Sequence, residues 1–148
     1  PVILDTAERC GCEAIFAVKG NHDSSAPFRN PICDVHLDTA SFQGLSIGGF
    51  NGCWRYKPSG YYLYEQRQVA RLMEDMPPVD IFVAHNSPAG IHESDRDVHQ
   101  GFSAFNEYIE DCAPAYFFHG HQHVSARTEE NDTSIIGVYG RQFFTDIP

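Results

Sequence analysis

Histidines cluster in one short stretch towards the end of the sequence. His119, His121 and His123 fall within the run FFHGHQH, directly after apolar residues. Imidazole nitrogen binds zinc, manganese and iron, so the run is a candidate metal site, and a histidine-rich polar loop is the alternative. Because His121 and His123 are two residues apart, they would reach either one ion or two neighbouring ions. Gly120 removes a side chain where the backbone would pass close to the site.

Two further apolar runs end in polar residues of the same chemical type. The run at 14–18 leads into KGNHD at 19–23, and the run at 80–84 leads into His85. In open α/β folds, ligands bind beyond the carboxyl ends of the strands, so we expect these loops to meet at one edge of a sheet. The side chains expected to meet there are Asn21, His22, His85, His121 and His123.

The elements that would position these residues alternate between helix and strand. Val69, Leu72, Met73 and Met76 fall on one helical face, and two prolines end that helix. Helices are predicted at 4–11, 64–76 and 102–112. Strands are predicted at 14–18, 33–37, 45–50, 80–84, 115–118, 124–127, 134–139 and 142–145. The pattern predicts a mixed α/β (α+β) fold that occupies residues 1–148 as one domain.

Composition limits the classes of function. The chain has 148 residues, of which 42% are hydrophobic, enough to bury a core of ordinary size. Its net charge of −10 weighs against binding to nucleic acid or an anionic membrane, but metal ions would still allow phosphate chemistry. No apolar run approaches the roughly 20 residues of a membrane span. The five cysteines lack zinc-finger spacing, which favours reduced thiols, several of them in the core, in a cytoplasmic protein.

Three blocks together resemble the signature of the calcineurin-like metallophosphoesterases. They are Gly20-Asn21-His22-Asp23, the strand-end His85, and Gly120-His121-Gln122-His123. The run HNSPAGIHESDRDVHQGFSAFNEYI, followed by FFHGHQH, is similar to the small bacterial Icc-related predicted phosphoesterases. The resemblance extends from residue 14 to about residue 144 and implies a two-sheet β-sandwich flanked by helices, with the site at the strand ends.

The resemblance also implies a set of metal ligands. Asn21, His85 and His121 match the ligands of one ion of a two-metal pair, and His123 matches a ligand of the other. The implied cofactors are two divalent or trivalent metal ions, manganese, iron or zinc. The implied reaction is hydrolysis of a phosphodiester or phosphomonoester in a small phosphorylated substrate, by a dinuclear-metal hydroxide.

Three more residues receive roles in the expected site. The resemblance implies that His22 binds the phosphate or protonates the leaving oxygen, with Asp23 orienting its ring. Arg55 would hold a phosphate through its fork of donors, or it is a surface arginine packed on aromatic residues.

Some histidines are set apart from the ligand set. His92 and His99 fall in a loop expected to lie over the site, with their side chains in solvent or bonded to the acidic residues Glu93, Asp95 and Asp97. His119 is expected to support the ligands or simply to end its strand. His36 is expected to be structural.

The sequence departs from the family pattern at its start. The Asp-x-His and Gly-Asp blocks that open the pattern have no counterpart, which favours a chain that lacks the first strands. The chain then supplies three ligands for one metal and a single ligand for the other, and we do not expect it to assemble a working dinuclear site alone. A catalytically inactive scaffold or binding module on the same fold, and a mononuclear zinc hydrolase, are the alternatives.

Overall fold

The computed structural model describes residues 2–94, 97–145 and 147. Within them the α-helices are Val2–Cys10 (α1), Gln66–Met73 (α2) and Ser103–Cys112 (α3), and Asp97–His99 forms a 3₁₀ turn. The first strands are Ile15–Ala17 (β1), Ile32–Asp34 (β2), Thr39–Phe42 (β3), Leu45–Phe50 (β4), Cys53–Trp54 (β5) and Leu63–Tyr64 (β6). The later strands are Ile81–Ala84 (β7), Tyr116–His119 (β8), Ala126–Glu130 (β9) and Thr133–Gly137 (β10).

A six-stranded mixed sheet forms the centre of the fold. Its strand order is β3-β4-β7-β8-β10-β9. The four inner strands are parallel to their inner neighbours, and β3 and β9 are antiparallel edges. Two parallel pairs, β1-β2 and β5-β6, stand apart from this sheet. The predicted mixed α/β class is confirmed, and the inner strands bring their carboxyl ends to one edge, where ligands bind in such sheets.

The main core lies between this sheet and the helices α2 and α3. Phe82 of β7 stacks on Phe117 of β8 with ring centroids 5.1 Å apart, and Phe105 of α3 contacts both rings. All three side chains are fully buried, and each such burial contributes about 1.5–3 kcal/mol. These contacts hold β7 and β8 rigidly side by side, and so fix the loops that follow them.

Local sequence explains where the two core helices begin and end. The backbone N–H of Glu65 donates to Gln68 Oε1 over 2.9 Å, as in a capping box at the start of α2. Val69 and Met73 are buried, as the helical pattern predicts, although α2 ends at Met73 rather than at residue 76. Helix α3 ends at Cys112, and the next residue, Ala113, has a left-handed backbone and donates its N–H to the carbonyl of Ile109.

The opposite face of the sheet is apolar and is partly covered by the β1-β2 pair. Phe16 of β1 lies against Phe42 of β3, with ring centroids 6.2 Å apart. Phe16 and Phe42 line one recess with Ile81, Val83 and Phe118 of the sheet. The recess has a volume of about 370 Å³.

Three features differ from the expectations. The predicted strand at 142–145 is irregular, because β9 already pairs with β10 at that edge, and Phe144 packs on Phe118 instead. The short strands β3, β5 and β6 were not predicted. Of the five free cysteines, only Cys53 is buried and Cys112 is half-buried, so fewer thiols lie in the core than expected.

No helix of the described residues is long and apolar enough to cross a membrane.

Candidate functional site

Two of the three predicted loops follow neighbouring strands of the central sheet. His85 comes directly after β7 and Gly120 directly after β8, and the Gly120 N–H donates to the carbonyl of His85 over 3.1 Å. The loop after β1 does not follow a strand of the central sheet, because β1 pairs with β2 outside this sheet. It is tied to the end of β4, where Lys19 N–H donates to Asn51 Oδ1 and Gly52 N–H donates to the carbonyl of Lys19. The expectation that all three loops follow strands of one sheet was therefore wrong for β1.

The three loops meet around a cavity of about 200 Å³ at the carboxyl edge of the sheet. Its lining is formed by Asn21, His22, Tyr56, His85, Val98, His99, His121 and His123. All five side chains that the sequence predicted to converge are in this lining. The described residues that line the cavity include five histidines and no carboxylate, although the chain carries a net charge of −10.

Asn21 and His85 form the most closely set pair. His85 Nε2 lies 2.9 Å from Asn21 Oδ1, and Asn21 Nδ2 donates to the hydroxyl of Tyr56 over 3.0 Å. Because the amide nitrogen is used on Tyr56, the amide oxygen is the atom that faces His85. Two ligand atoms on one octahedral ion, with bonds of about 2.1 Å, lie about 3 Å apart. An amide oxygen can only accept a hydrogen bond, so His85 Nε2 carries the proton in this contact. The two atoms would become neighbouring ligands of a shared ion once that proton has moved to Nδ1.

The two glycines of the motifs contact His85 unequally. A Cβ built on Gly20 would lie 2.6 Å from His85 Cε1 and 2.9 Å from Nδ1. A Cβ built on Gly120 would lie 3.6 Å from the carbonyl oxygen of His85 and 3.8 Å from Nδ1, which are ordinary contacts. The imidazole of His85 thus lies directly against the backbone of Gly20, and this position requires glycine for space.

His121 and His123 both adopt a left-handed backbone. Their φ angles are 59° and 53°, a conformation that costs a non-glycine residue roughly 1–2 kcal/mol. His121 Nε2 lies 2.9 Å from the carbonyl oxygen of Val98, which can only accept a hydrogen bond. Nε2 therefore carries the proton, and Nδ1 holds the lone pair. Metal-binding histidines commonly donate their second ring N–H to a carbonyl in this way.

Two histidines of the cavity, His85 and His121, have a lowered affinity for protons. Burial, and then the neighbouring imidazoles His121, His22 and His123, lower the pKa of His85 to about 3. Burial is also the main cause that lowers the pKa of His121, ahead of His99, His123 and His22. Neutral imidazole is the form that binds metal ions. His85 and His121 are thus held in their ligating form at neutral pH.

His22 and Asp23 do not act as the expected pair. His22 is exposed at the cavity. The carboxylate of Asp23 accepts a hydrogen bond of 2.7 Å from the backbone N–H of Gly20, and Asp23 N–H donates to the Gly20 carbonyl. Asp23 therefore closes the turn that presents His22, and its carboxylate bonds to the Gly20 backbone.

Arg55 does not line the cavity. Its Nη2 donates to the carbonyl of Leu63 over 3.0 Å, and its Nε lies 3.8 Å from Glu65 Oε1. The guanidinium thus supports the β5-β6 pair, while the next residue, Tyr56, lines the cavity. Of the two roles expected for Arg55, contact with a phosphate stays a prediction.

The loop between β7 and α3 makes contacts that sequence reasoning missed. His92 Nδ1 lies 2.8 Å from His119 Nε2, and His92 Nε2 lies 2.9 Å from Thr128 Oγ1. His119 is 2% exposed, and burial is the main cause that lowers its pKa to about 4. The partners expected for His92 were local acids, of which Asp95 lies outside the described residues. The observed partners are 27 and 36 residues away in the chain, so no local pattern could indicate them.

Two buried polar side chains fix the loops without lining the cavity. Lys19 Nζ donates to the carbonyls of Ser24 and Ala26 and to the hydroxyl of Tyr62, which anchors the turn that carries Asn21 and His22. Gln122 anchors the loop that carries His121 and His123.

Gln122 lies between His121 and His123 in the chain. Gln122 Nε2 donates over 2.8 Å to Ser87 Oγ and to the carbonyl of His99. Both Lys19 and Gln122 are about 5% exposed or less. Apolar patterning indicates core positions only, so the burial of these polar residues was not predicted.

The described part of the chain holds no group of three or more His, Cys, Asp or Glu side chains arranged to hold a metal ion. Asn21 contributes an amide and stands outside such a group. The predicted ligands are thus close together but bonded to protein partners, as in the His85–Asn21 and His121–Val98 pairs. The expectation of two metal ions stays a prediction.

Comparison with known proteins leaves the family open. No family model matches the chain, and no curated protein matches it. Among solved structures, the crystal structure of TT1561 of Thermus thermophilus is similar over 71% of this chain, with 15% sequence identity and a TM-score of 0.47. The chain spans about half of that structure, 48% of its length. A similarity at this level assigns neither a family nor a function.

Proposed function

We propose that this protein is a calcineurin-like metallophosphoesterase that hydrolyses phosphoester bonds of a small phosphorylated substrate in the cytoplasm. The observation that carries the proposal is the cavity in which Asn21 and four predicted histidines meet at the carboxyl ends of β7 and β8. The described lining contains no carboxylate to repel a phosphate, and imidazole and amide groups suit manganese, iron or zinc.

The residues of the cavity divide into two sets of proposed ligands. Asn21 Oδ1, His85 Nε2 and His121 Nδ1 would hold one ion, which would take the place of the proton between the first two atoms, while the third already carries a lone pair. His123 would contribute to a second ion. When bound, such ions polarise phosphate oxygens and lower the pKa of water towards neutrality.

Other residues of the chain would bind and orient the substrate. His22 is exposed at the cavity and would donate a hydrogen bond to a phosphate oxygen or a proton to the leaving oxygen. Tyr56 orients the Asn21 amide through its hydroxyl. A cavity of about 200 Å³ would take a phosphoryl group and its nearest substituents, while drug-sized ligands need roughly 300–1,000 Å³.

One observation favours a second candidate function, a binding module without catalysis. The described histidines form no ready group of metal ligands, and two of them are satisfied by protein partners. A phosphate-binding module would keep the cavity and bind phosphate without turnover. The two functions differ in whether metal ions bind and whether product forms.

Hydrolysis of bis(p-nitrophenyl) phosphate and p-nitrophenyl phosphate tests the proposal. The natural full-length protein is assayed with added Mn²⁺, Fe²⁺ and Zn²⁺, beside the variant His121→Ala and the exposed control Glu107→Gln on α3. We expect turnover that His121→Ala abolishes and Glu107→Gln preserves. Absence of turnover with every metal would contradict the proposal, and an active His121→Ala protein would contradict the ligand assignment.

A further inference from the structure

We propose that His99 is a further substrate-binding residue of this cavity, where it contacts the anionic group of the bound ligand. The inference rests on the proposed function and extends it to a loop that the signature motifs do not include. The imidazole of His99 lines the cavity. Its ring centroid lies 5.2 Å from that of His121 and 6.0 Å from that of His123. A ligand that reaches these two rings therefore also reaches His99.

The backbone around His99 is attached firmly to the histidine motif. The carbonyl of Val98 accepts a hydrogen bond from His121 Nε2, and the carbonyl of His99 accepts one from Gln122 Nε2. The two hydrogen bonds join the 3₁₀ turn Asp97–His99 to consecutive residues of the 120–123 loop. The turn is thus part of the cavity wall.

The ring and the loop that carries it are also held in place. Ser94 Oγ lies 2.6 Å from His99 Nδ1, which fixes the plane of the imidazole. Glu93 Oε1 accepts hydrogen bonds from the backbone N–H groups of Gly90 and Gly101, which closes the base of the loop. The contact with Ser94 thus positions the His99 imidazole at the cavity.

The chemistry of the lining favours an oxyanion as that ligand. Imidazole N–H groups donate hydrogen bonds, and the described lining offers no carboxylate that would compete with an anion. The ligand class is therefore a phosphate monoester or diester, with inorganic phosphate as the simplest probe.

Titration of inorganic phosphate into metal-free protein tests the inference without any need for catalysis. Imidazole signals followed by long-range ¹H–¹⁵N NMR should shift at His99, and His99→Ala should weaken phosphate binding about tenfold, as expected for a lost hydrogen bond to a charged group. His99→Gln keeps a donor and should lose less. Gln100→Ala removes an exposed neighbouring side chain on the same loop and should bind phosphate like the wild type.

A second experiment separates failure of the inference from failure of the proposed function. The same variants are tested for Mn²⁺ binding and for KM and kcat with bis(p-nitrophenyl) phosphate, where His99→Ala should raise KM and leave Mn²⁺ affinity unchanged. Phosphate-induced shifts at His99 without any wild-type turnover would support the inference and contradict the proposed function. Unchanged phosphate affinity and KM in His99→Ala, or a loss of Mn²⁺ binding instead, would overturn the inference.

Discussion

Replacing Gly20 with alanine should disturb the site at one defined contact. Neither Gly20 nor Gly120 has a positive φ angle, so alanine fits both backbones. The new Cβ at residue 20 would lie 2.6 Å from His85 Cε1, well inside van der Waals contact. The ring would have to move away from residue 20, and the 2.9 Å contact between His85 Nε2 and Asn21 Oδ1 would be broken or lengthened.

The expected cost follows from these contacts. Overpacking of a closely packed site costs about 1–3 kcal/mol, and loss of the hydrogen bond adds about 1 kcal/mol. Gly20→Ala should therefore lower the free energy of unfolding by roughly 2–4 kcal/mol. Misplacement of His85 should also weaken Mn²⁺ or Zn²⁺ binding about 10–100-fold, the usual effect of disturbing the support of a ligand. Urea denaturation and metal titration measure the two effects.

Gly120→Ala is the matched control, because it adds the same methyl group on the other side of His85. Its Cβ would have its nearest contact at 3.6 Å, an ordinary distance. We expect unfolding free energy within about 0.5 kcal/mol of the wild type, or slightly higher because alanine restricts the unfolded chain. Equal stability and metal affinity in the two variants would refute the close contact between Gly20 and His85.

Three further perturbations test other parts of the site. His123→Gly should be about 1 kcal/mol more stable than His123→Ala, because φ is 53° at this position, and urea denaturation of both variants measures the difference. His92→Ala should cost about 1–3 kcal/mol in the same assay, because it leaves buried His119 Nε2 without its partner, whereas Thr128→Val should cost less. The metal-free protein should lose stability as pH falls below 6.5, because unfolded histidines take up protons there while the pKa values of His119 and His85 are about 4 and about 3 when folded. By pH 4, His119 and His85 should each lower the free energy of unfolding by about 3 kcal/mol. A free energy of unfolding that stays constant from pH 7 to pH 4 would contradict this prediction.

Patterns of apolar residues were sufficient to predict most helices and strands of the fold. The run 80–84 and the helical face around Val69 predicted β7 and α2 closely, because burial alone determines both patterns. Strands β5 and β6 were missed because each has only two residues and depends on its partner. The predicted strand at 142–145 had suitable residues, but β9 already occupies the position beside β10.

The sequence indicated the site less completely. Convergence of His85 and His121 could be predicted, because polar residues at the ends of neighbouring parallel strands meet at one edge. Asn21 also reaches this place, as predicted, although its strand β1 lies outside the central sheet. The positions of His99 and Tyr56 depend on loop conformations that are closed by contacts between distant residues. No local pattern in a single sequence reveals such contacts.

Metal binding tests the central claim most directly. Purified protein is dialysed against Mn²⁺ and Zn²⁺, and bound metal is counted for the wild type, His85→Gln and His121→Ala, with Glu107→Gln as the control. The claim that Asn21, His85 and His121 share one ion predicts at least one tightly bound equivalent in the wild type and the control, and its loss in both histidine variants. A wild-type protein without bound metal, or equal metal content in all four proteins, would contradict it.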